Sequence, residues 1–312
     1  MTRAVRVHST TWLATDVVQV ELRDPSGAEL PAWEPGAHVS VRLGNGMVRE
    51  YSLCGDPRDR HSWTIAVLRE PDSRGGSAWV HERLTAGTLV EVDGPRNHFA
   101  LEPAERVLLV AGGIGVTPMR AMAQQLARSG VEWRMLYCGR TRDGMAFVRD
   151  VVETGGDSVR IHVDDEHDGP PDLDAELSSS PSGTLVYCCG PEPLIEAVES
   201  ALPEPSSLRV ERFRAPGAES TPSEGEFEVV CRNSGKRVTV GAQTSVLEAL
   251  ADAGIEVPSS CREGVCGTCE TKVLSGEPEH RDLVLSSAEQ RTGGSMMICV
   301  SRCRSAELVL DL

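Results

Sequence analysis

Cys261-Arg-Glu-Gly-Val-Cys266-Gly-Thr-Cys269, with a further cysteine thirty residues on at Cys299, is the stretch that decides how this chain is read. The spacing C-x₄-C-x₂-C…C is the plant-type ligand pattern for a [2Fe–2S] cluster. Each of two ferric ions keeps tetrahedral coordination while sharing two sulfides. Four thiolates are therefore needed, and three must come from one short loop wrapped around the cluster. Gly264 and Gly267 suit that loop, because without a Cβ they let backbone N–H groups approach the sulfurs. Such N–H···S contacts help set the reduction potential. A lone C-x-x-C would carry little. The four-cysteine spacing favours the cluster over a zinc site or inert thiols, and with it one-electron chemistry.

Working outward, 312 residues allow two or three domains, each able to bury a core. A net charge of −16 argues against nucleic acid and against an anionic membrane surface. It is compatible with a basic docking face on a partner, and equally with ordinary solubility. Met1-Thr-Arg-Ala-Val-Arg opens no long apolar run, and the most apolar stretch, Val107 to Val116, is short and broken by glycines. Neither a signal peptide nor a transmembrane helix is expected. Beyond the four cluster cysteines, Cys54, Cys138, Cys188, Cys189, Cys231 and Cys303 show no disulfide spacing. A reducing cytoplasm is the expectation.

The first hundred residues read as β-rich. Val17–Arg23, Ala37–Leu43, Trp63–Arg69 and Leu89–Val92 are short β-branched or alternating runs separated by turn residues, which predicts a small antiparallel barrel. Arg49-Glu50-Tyr51-Ser52 begins a strand after a glycine-containing turn. Arg74-Gly75-Gly76-Ser77 precedes a helix-like stretch, Ala78–Leu84. Backbone N–H groups, a hydroxyl and a helix N-terminus together make a phosphate cradle. A glycine turn capped by Ser77, with Arg49 a surface charge, accounts for the same residues equally well.

From about Arg106 strands alternate with helices. Val107–Ala111, Trp133–Tyr137, Val159–Val163 and Thr184–Cys188 read as strands, and Met119–Ser129, Ala146–Glu153 and Leu194–Ala201 as helices. That is the pattern of a doubly wound parallel sheet. Gly112-Gly113-Ile114-Gly115-Val116-Thr117-Pro118 follows the first strand. It does not match G-x-G-x-x-G, and either close ligand approach or tight strand–helix packing explains it. Cys189-Gly190-Pro191 ends the last strand, where such sheets bind ligands. Taken alone, Cys189 reads as a buried small hydrophobe. Residues 214–225, rich in Pro, Gly, Ser, Ala and Glu, read as a flexible linker. Beyond it, Glu226–Arg232 and Lys236–Val240 suggest a hairpin, Ser245–Ala253 a helix, and Glu270–Leu274 and Met296–Val300 further strands.

These pieces, in this order, resemble the phthalate dioxygenase reductase family over nearly the whole chain. The resemblance implies an FMN-binding β-barrel over 1–103, an NAD(P)H-binding α/β domain over 104–213, the linker, and a plant-type ferredoxin of the α+β β-grasp kind over 226–312. Arg49-x-Tyr51-Ser52 is similar to the family's flavin motif and Arg74-Gly75-Gly76-Ser77 to its flavin phosphate loop. Glu50 and the strand residues Ala66, Val67 and Leu68 are implied at the same site. Gly112, Gly113, Gly115, Thr117 and Pro118, with Cys189, Gly190 and Pro191, are similar to its two nicotinamide motifs. Glu211-Arg212-Phe213 resembles the segment ending with an aromatic beside the flavin. The family implies FMN rather than FAD, and mostly NADH. Arg140 and Arg142 would suit NADPH, and Asp164-Asp165-Glu166 pulls the other way, unless both sets are solvated loop charges.

The implied function is electron transfer. Nicotinamide gives a hydride, a [2Fe–2S] cluster accepts one electron, and flavin joins the two. Ser52 and Cys189 are then the catalytic candidates, Ser52 within reach of the flavin N5 and Cys189 flanking the nicotinamide. Phe213 would cover the other flavin face. Cys261, Cys266, Cys269 and Cys299 are the metal ligands, with Cys303 a spare thiol and Met296–Val300 the strand bearing the fourth ligand. The implied partner is the terminal component of an oxygenase with a Rieske centre, or alternatively a cytochrome P450, served by a monomer. A non-enzymatic iron–sulfur carrier or redox sensor is the rival from another class.

Overall fold

The structure, a computed structural model, describes residues 2–71, 75–178, 180–202, 204, 207–213, 225–285 and 287–312. Arg74, and 214–224 of the expected linker, lie outside them. The chain divides into two compact units, Met1–Arg212 and Phe213–Leu312.

The first unit begins with six antiparallel strands: β1 (Arg3–Ala14), β2 (Val17–Arg23), β3 (Ala37–Arg42), β4 (Val48–Ser52), β5 (Trp63–Leu68) and β6 (Leu89–Asn97). Their order is β4-β3-β6-β1-β2-β5. The sheet curls until its two edges meet, and the Cys54 N–H just past β4 donates to Thr64 O on β5 at 2.9 Å. Period-two alternation sends Val5, Val7, Val20, Leu22, Val39, Val41, Trp63 and Ile65 inward, each essentially inaccessible. Helix α1 (Gly76–Arg83) packs beside β5, where His81 Nε2 meets Val67 O at 2.9 Å.

The second sheet holds β7 (Arg106–Gly112), β8 (Glu132–Gly139), β9 (Val159–Val163), β10 (Leu185–Cys189) and β11 (Leu208–Glu211), all parallel, in the order β11-β10-β7-β8-β9. The continuous apolar run of β7 is buried from Val107 onward, as a central parallel strand covered on both faces requires. Helices α2 (Val116–Ser129), α3 (Val148–Gly155), α4 (Leu173–Ser178) and α5 (Glu192–Ala201) connect the strands. Helix α2 buries Met119, Met122, Ala123 and Leu126 at helical spacing. It starts three residues earlier than its sequence suggests, because a first-turn Pro118 gives up an N–H that has no intrahelical acceptor. The chain leaves β7 for β8 on one side, while β10 flanks β7 on the other. The reversal lies between the C-terminal ends of β7 and β10.

One hydrophobic core spans both sheets of this unit. Ala14, Val17, Cys54, Ala66 and Phe99 of the barrel pack with Leu109 and Tyr187 of the parallel sheet and Met119 and Met122 of α2. Polar ties reinforce it. The Tyr187 hydroxyl accepts from Glu102 N (2.7 Å) and donates to Ala100 O (3.0 Å). Arg120 on α2 donates to Cys54 O, pairs with Asp150 at 2.9 Å and lies over the Phe147 ring.

The second unit is a mixed sheet with a helix across it. Its elements are β12 (Phe227–Cys231), β13 (Arg237–Val240), α6 (Val246–Asp252), β14 (Glu270–Ser275), β15 (Pro278–Glu279), α7 (Ser287–Thr292), β16 (Ser295–Met297), β17 (Arg302–Cys303) and β18 (Glu307–Leu310). The order β13-β12-β18-β14-β16, with β12 and β18 parallel at the centre, is ferredoxin-like. Helix α6 opens on a capping box. Glu248 N donates to Ser245 Oγ (3.1 Å), and Ser245 N donates to the Glu248 carboxylate (3.0 Å). Among the described residues no helix is long and apolar enough to cross a membrane.

Candidate functional site

The barrel brings Arg49–Ser52, expected to hold flavin, beside Gly75, Gly76 and Ser77. Arg49 and Tyr51 alternate with Glu50 and Ser52 along β4, so the pairs point to opposite faces. Arg49 lies across the start of α1. A Cβ on Gly76 would sit 2.5 Å from Arg49 Nε, and Gly75 adopts φ +93°, where other residues are strained. The helix N-terminus thus has no Cβ at Gly75 or Gly76 and carries a guanidinium over its backbone, a fit for a phosphate group. The Ser77 hydroxyl accepts from Glu70 N at 3.1 Å and holds the loop. Tyr51 packs on the barrel core, and burial pushes its phenol up. Glu50 faces away, accepting from Ser40 Oγ at 2.8 Å with His38 Nε2 3.6 Å off. On β5, Val67 faces the barrel core, whereas Ala66 and Leu68 face the core shared with the parallel sheet.

At the crevice the 112–118 turn and Cys189-Gly190-Pro191, the two stretches expected to hold nicotinamide, interlock. A Cβ on Gly112 would lie 2.6 Å from Leu194 Cδ2 and 2.7 Å from Pro191 Cδ, and one on Gly190 2.9 Å from Gly112 Cα. One on Gly115 would fall on Cys189 O. These three glycines serve backbone packing. Gly113, at φ +52° and with nothing within 4 Å of a Cβ, is the one that leaves open space. The Thr117 hydroxyl donates to Ile114 O (2.9 Å) and fixes the turn.

The sequence reading left Glu211 without a role. It ends β11, beside Cys189 in the parallel register, and accepts a hydrogen bond from Ser52 Oγ at 3.3 Å. Ser52, Cys189 and Glu211 therefore meet where the barrel abuts the C-terminal edge of the parallel sheet. Glu211 keeps some accessible surface, but protein packs densely around its carboxyl. That burial pushes its pKa up to about 8, against a smaller lowering by the Ser52 hydroxyl. Cys189 is wholly buried within the shared core, and desolvation raises its thiol well above the usual range. Phe213 is exposed and lies in the second unit.

In the second unit the four cysteines of the motif converge. Cys261 is in hydrogen-bond contact with the Cys266 and Cys299 thiols, and Cys269 with that of Cys299. These thiol contacts lower the Cys261 pKa against the opposing effect of burial, and backbone N–H donors add to the lowering. Glu263 N donates to Cys261 Sγ at 3.3 Å. The loop turns through positive φ at Arg262, Gly264 and Gly267. Leu283 N donates to Gly264 O at 2.9 Å, and a Cβ on Gly264 would meet Val300 Cγ2 at 2.6 Å. Three of the four thiols come from the 261–269 loop and the fourth from the turn after β16. A two-iron cluster distributes its thiolates over both irons, so the donor set suits [2Fe–2S]. The expectation of a strand under the fourth ligand needs correction. Strand β16 ends at Met297, and Cys299 sits on the turn that follows, closed by Val300 and Ser301 N–H groups on Met297 O. Ser301 Oγ donates to buried Asp282 at 3.2 Å and pins that turn. Cys303 stands on β17 with its sulfur 3.1 Å from Ser305 Oγ.

Fold and site define a nicotinamide-dependent flavin oxidoreductase joined to an iron–sulfur domain. The family described as "Oxidoreductase NAD-binding domain" matches residues 109–200, and "2Fe-2S iron-sulfur cluster binding domain" matches 230–304. The chain is 45% identical over 314 residues to "Phenoxybenzoate dioxygenase subunit beta" of Ectopseudomonas oleovorans, covering 99% of this chain and 97% of that one. The crystal structure of phthalate dioxygenase reductase matches with TM-score 0.74 and 39% identity, over 100% of this chain and 98% of that one. An intact type IV self-sufficient cytochrome P450 monooxygenase matches with TM-score 0.93 and 44% identity, over 100% of this chain and 41% of that longer one. The chain belongs to the phthalate dioxygenase reductase family and is an NAD(P)H oxidoreductase whose cofactors are FMN and a [2Fe–2S] cluster.

Proposed function

We propose that this protein is the reductase component of an oxygenase system, taking two electrons from a nicotinamide dinucleotide and delivering them singly to a terminal oxygenase with a Rieske centre. The observation that carries the reading is the Ser52–Glu211 contact, which joins the flavin motif of the barrel to the dinucleotide edge of the parallel sheet. Bound FMN would accept a hydride and release single electrons, the conversion that joins nicotinamide to an iron–sulfur cluster. Arg49 and the N–H groups of Gly75, Gly76 and Ser77 would hold its phosphate, with Arg74 a further candidate. Gly112, Gly113, Gly115, Thr117 and Pro118 form the seat of the dinucleotide, and Cys189-Gly190-Pro191 its second wall. Near neutral pH Glu211 holds a proton, and Ser52 Oγ is placed to exchange it with a group bound against β4. Cys261, Cys266, Cys269 and Cys299 hold the cluster.

On this reading the flavin domain spans 1–103, the nucleotide domain 104–213, the linker 214–225 and the ferredoxin domain 226–312, while the compact units divide one residue earlier, between Arg212 and Phe213. A cytochrome P450 partner is the second reading, supported by the match to the P450-fused reductase. The test is an anaerobic visible spectrum before and after stoichiometric NADH, then NADPH, followed by turnover with each partner class. Flavin bands over broad iron–sulfur absorption that bleach with a nucleotide are expected. Iron–sulfur colour without flavin, or no bleaching with either nucleotide, would overturn the assignment.

A further inference from the structure

We propose that Glu166 makes this reductase select NADH over NADPH by occupying Arg142. The inference rests on reading the 112–118 turn as the dinucleotide seat. In a doubly wound sheet the pyrophosphate sits at the turn after the first strand, and the adenosine ribose falls beside the end of the neighbouring second strand. Here those strands are β7 and β8, and Arg140-Thr141-Arg142 directly follows β8. Strand β9 pairs with β8 on its far side and runs into Asp164-Asp165-Glu166. Asp165 N donates to Arg140 O at 3.2 Å, so the two loops form one rim.

On that rim Arg142 is already engaged. Its Nε donates to Glu166 Oε1 at 2.8 Å and its Nη2 to Oε2 at 2.7 Å, a bidentate fork. A 2′-phosphate held by Arg142 would need that same fork. The pair is about half exposed, so water and salt weaken it, but a phosphate must still displace a carboxylate that is covalently fixed nearby. The sign of the rim acts in the same direction. Arg140 and Arg142 stand against Asp143, Asp164, Asp165 and Glu166, two positive charges against four negative. A 2′-phosphate adds roughly two further negative charges, whereas a 2′-hydroxyl adds none and can donate to a carboxylate. Of the charges that pull in opposite directions in the sequence, Arg142 and Glu166 thus form one pair in which the acid neutralises the base.

The test compares wild type, Glu166→Gln and Glu166→Gln/Arg142→Ala as FMN-loaded holoenzymes. Flavin bleaching is followed by anaerobic stopped flow with NADH and with NADPH. Wild type should favour NADH. Glu166→Gln should raise the NADPH/NADH ratio of kcat/KM by roughly tenfold or more, as expected when a charged donor is released to a phosphate. Arg142→Ala in the same chain should cancel that gain, whereas a gain that survived would assign it to Arg140 and overturn the proposal. A wild type that prefers NADPH, or an unchanged ratio in Glu166→Gln, would also overturn it. Reduction of the wild type by neither nucleotide would remove the seat itself and the proposal with it. Reduction by NADH with no change in selectivity would refute the proposal alone.

Discussion

Replacing Glu211 by Gln tests the buried carboxyl at the meeting of the two sheets. The side chain keeps its shape and hydrogen-bonding capacity but cannot ionise. In the folded protein burial raises the Glu211 pKa from 4.5 to about 8. The unfolded chain ionises near the lower value, so between these pH values folding takes up a proton and stability falls as pH rises. The effect vanishes below 4.5, where both states are protonated, and is complete above 8. Each unit of pH in that window costs about 1.4 kcal/mol. From pH 5 to pH 7 wild type should lose about 3 kcal/mol relative to Glu211→Gln. For a unit of this size that is roughly 5–10 °C in Tm. Differential scanning calorimetry of both proteins at pH 5, 6, 7 and 8 gives the difference directly. A Tm difference that stays constant across that range would show that Glu211 ionises as an ordinary surface carboxylate, and would refute the burial argument. If Ser52 and Glu211 handle a proton together, the variant should also flatten the pH dependence of flavin reduction near pH 8.

Other expectations follow from the same geometry. Ser52→Ala should slow flavin reduction by roughly 10–100-fold, read by stopped flow, and an unchanged rate would exclude a transition-state role. Arg49→Ala should weaken FMN binding by roughly 10–100-fold, the worth of a charge-assisted contact to phosphate, measured by flavin fluorescence on release. Cys266→Ser should abolish the iron–sulfur absorption yet leave FMN reduction by nicotinamide intact, and surviving iron–sulfur bands would dismiss Cys266 as a ligand.

What the sequence makes legible depends on how local the signal is. The run of β7 and the helix expected over Ser245–Ala253 are each encoded within a dozen residues, and the structure has both. Strand β1 escapes notice because its twelve residues mix Arg, His and Thr with valines and leave Trp12 70% exposed. Strand β11 is four half-buried residues in which Leu208 and Val210 are interleaved with charge. Glu211 gains its meaning only from a contact 159 residues away in the chain, which no local pattern encodes. The glycine turn after β7 shows the opposite limit. Its two readings, packing and ligand approach, are both present, divided among different glycines of one motif.

The interlock of Gly112, Gly115 and Gly190 has an energetic consequence for turnover. Two loops nearly eighty residues apart are packed into a floor that has no smaller residue to fall back on. A dinucleotide docking there, as proposed above, would not have to order the backbone that receives it, so little of its contact energy would be lost to loop entropy. Preorganisation of this kind favours a carrier that binds and leaves once for every pair of electrons delivered.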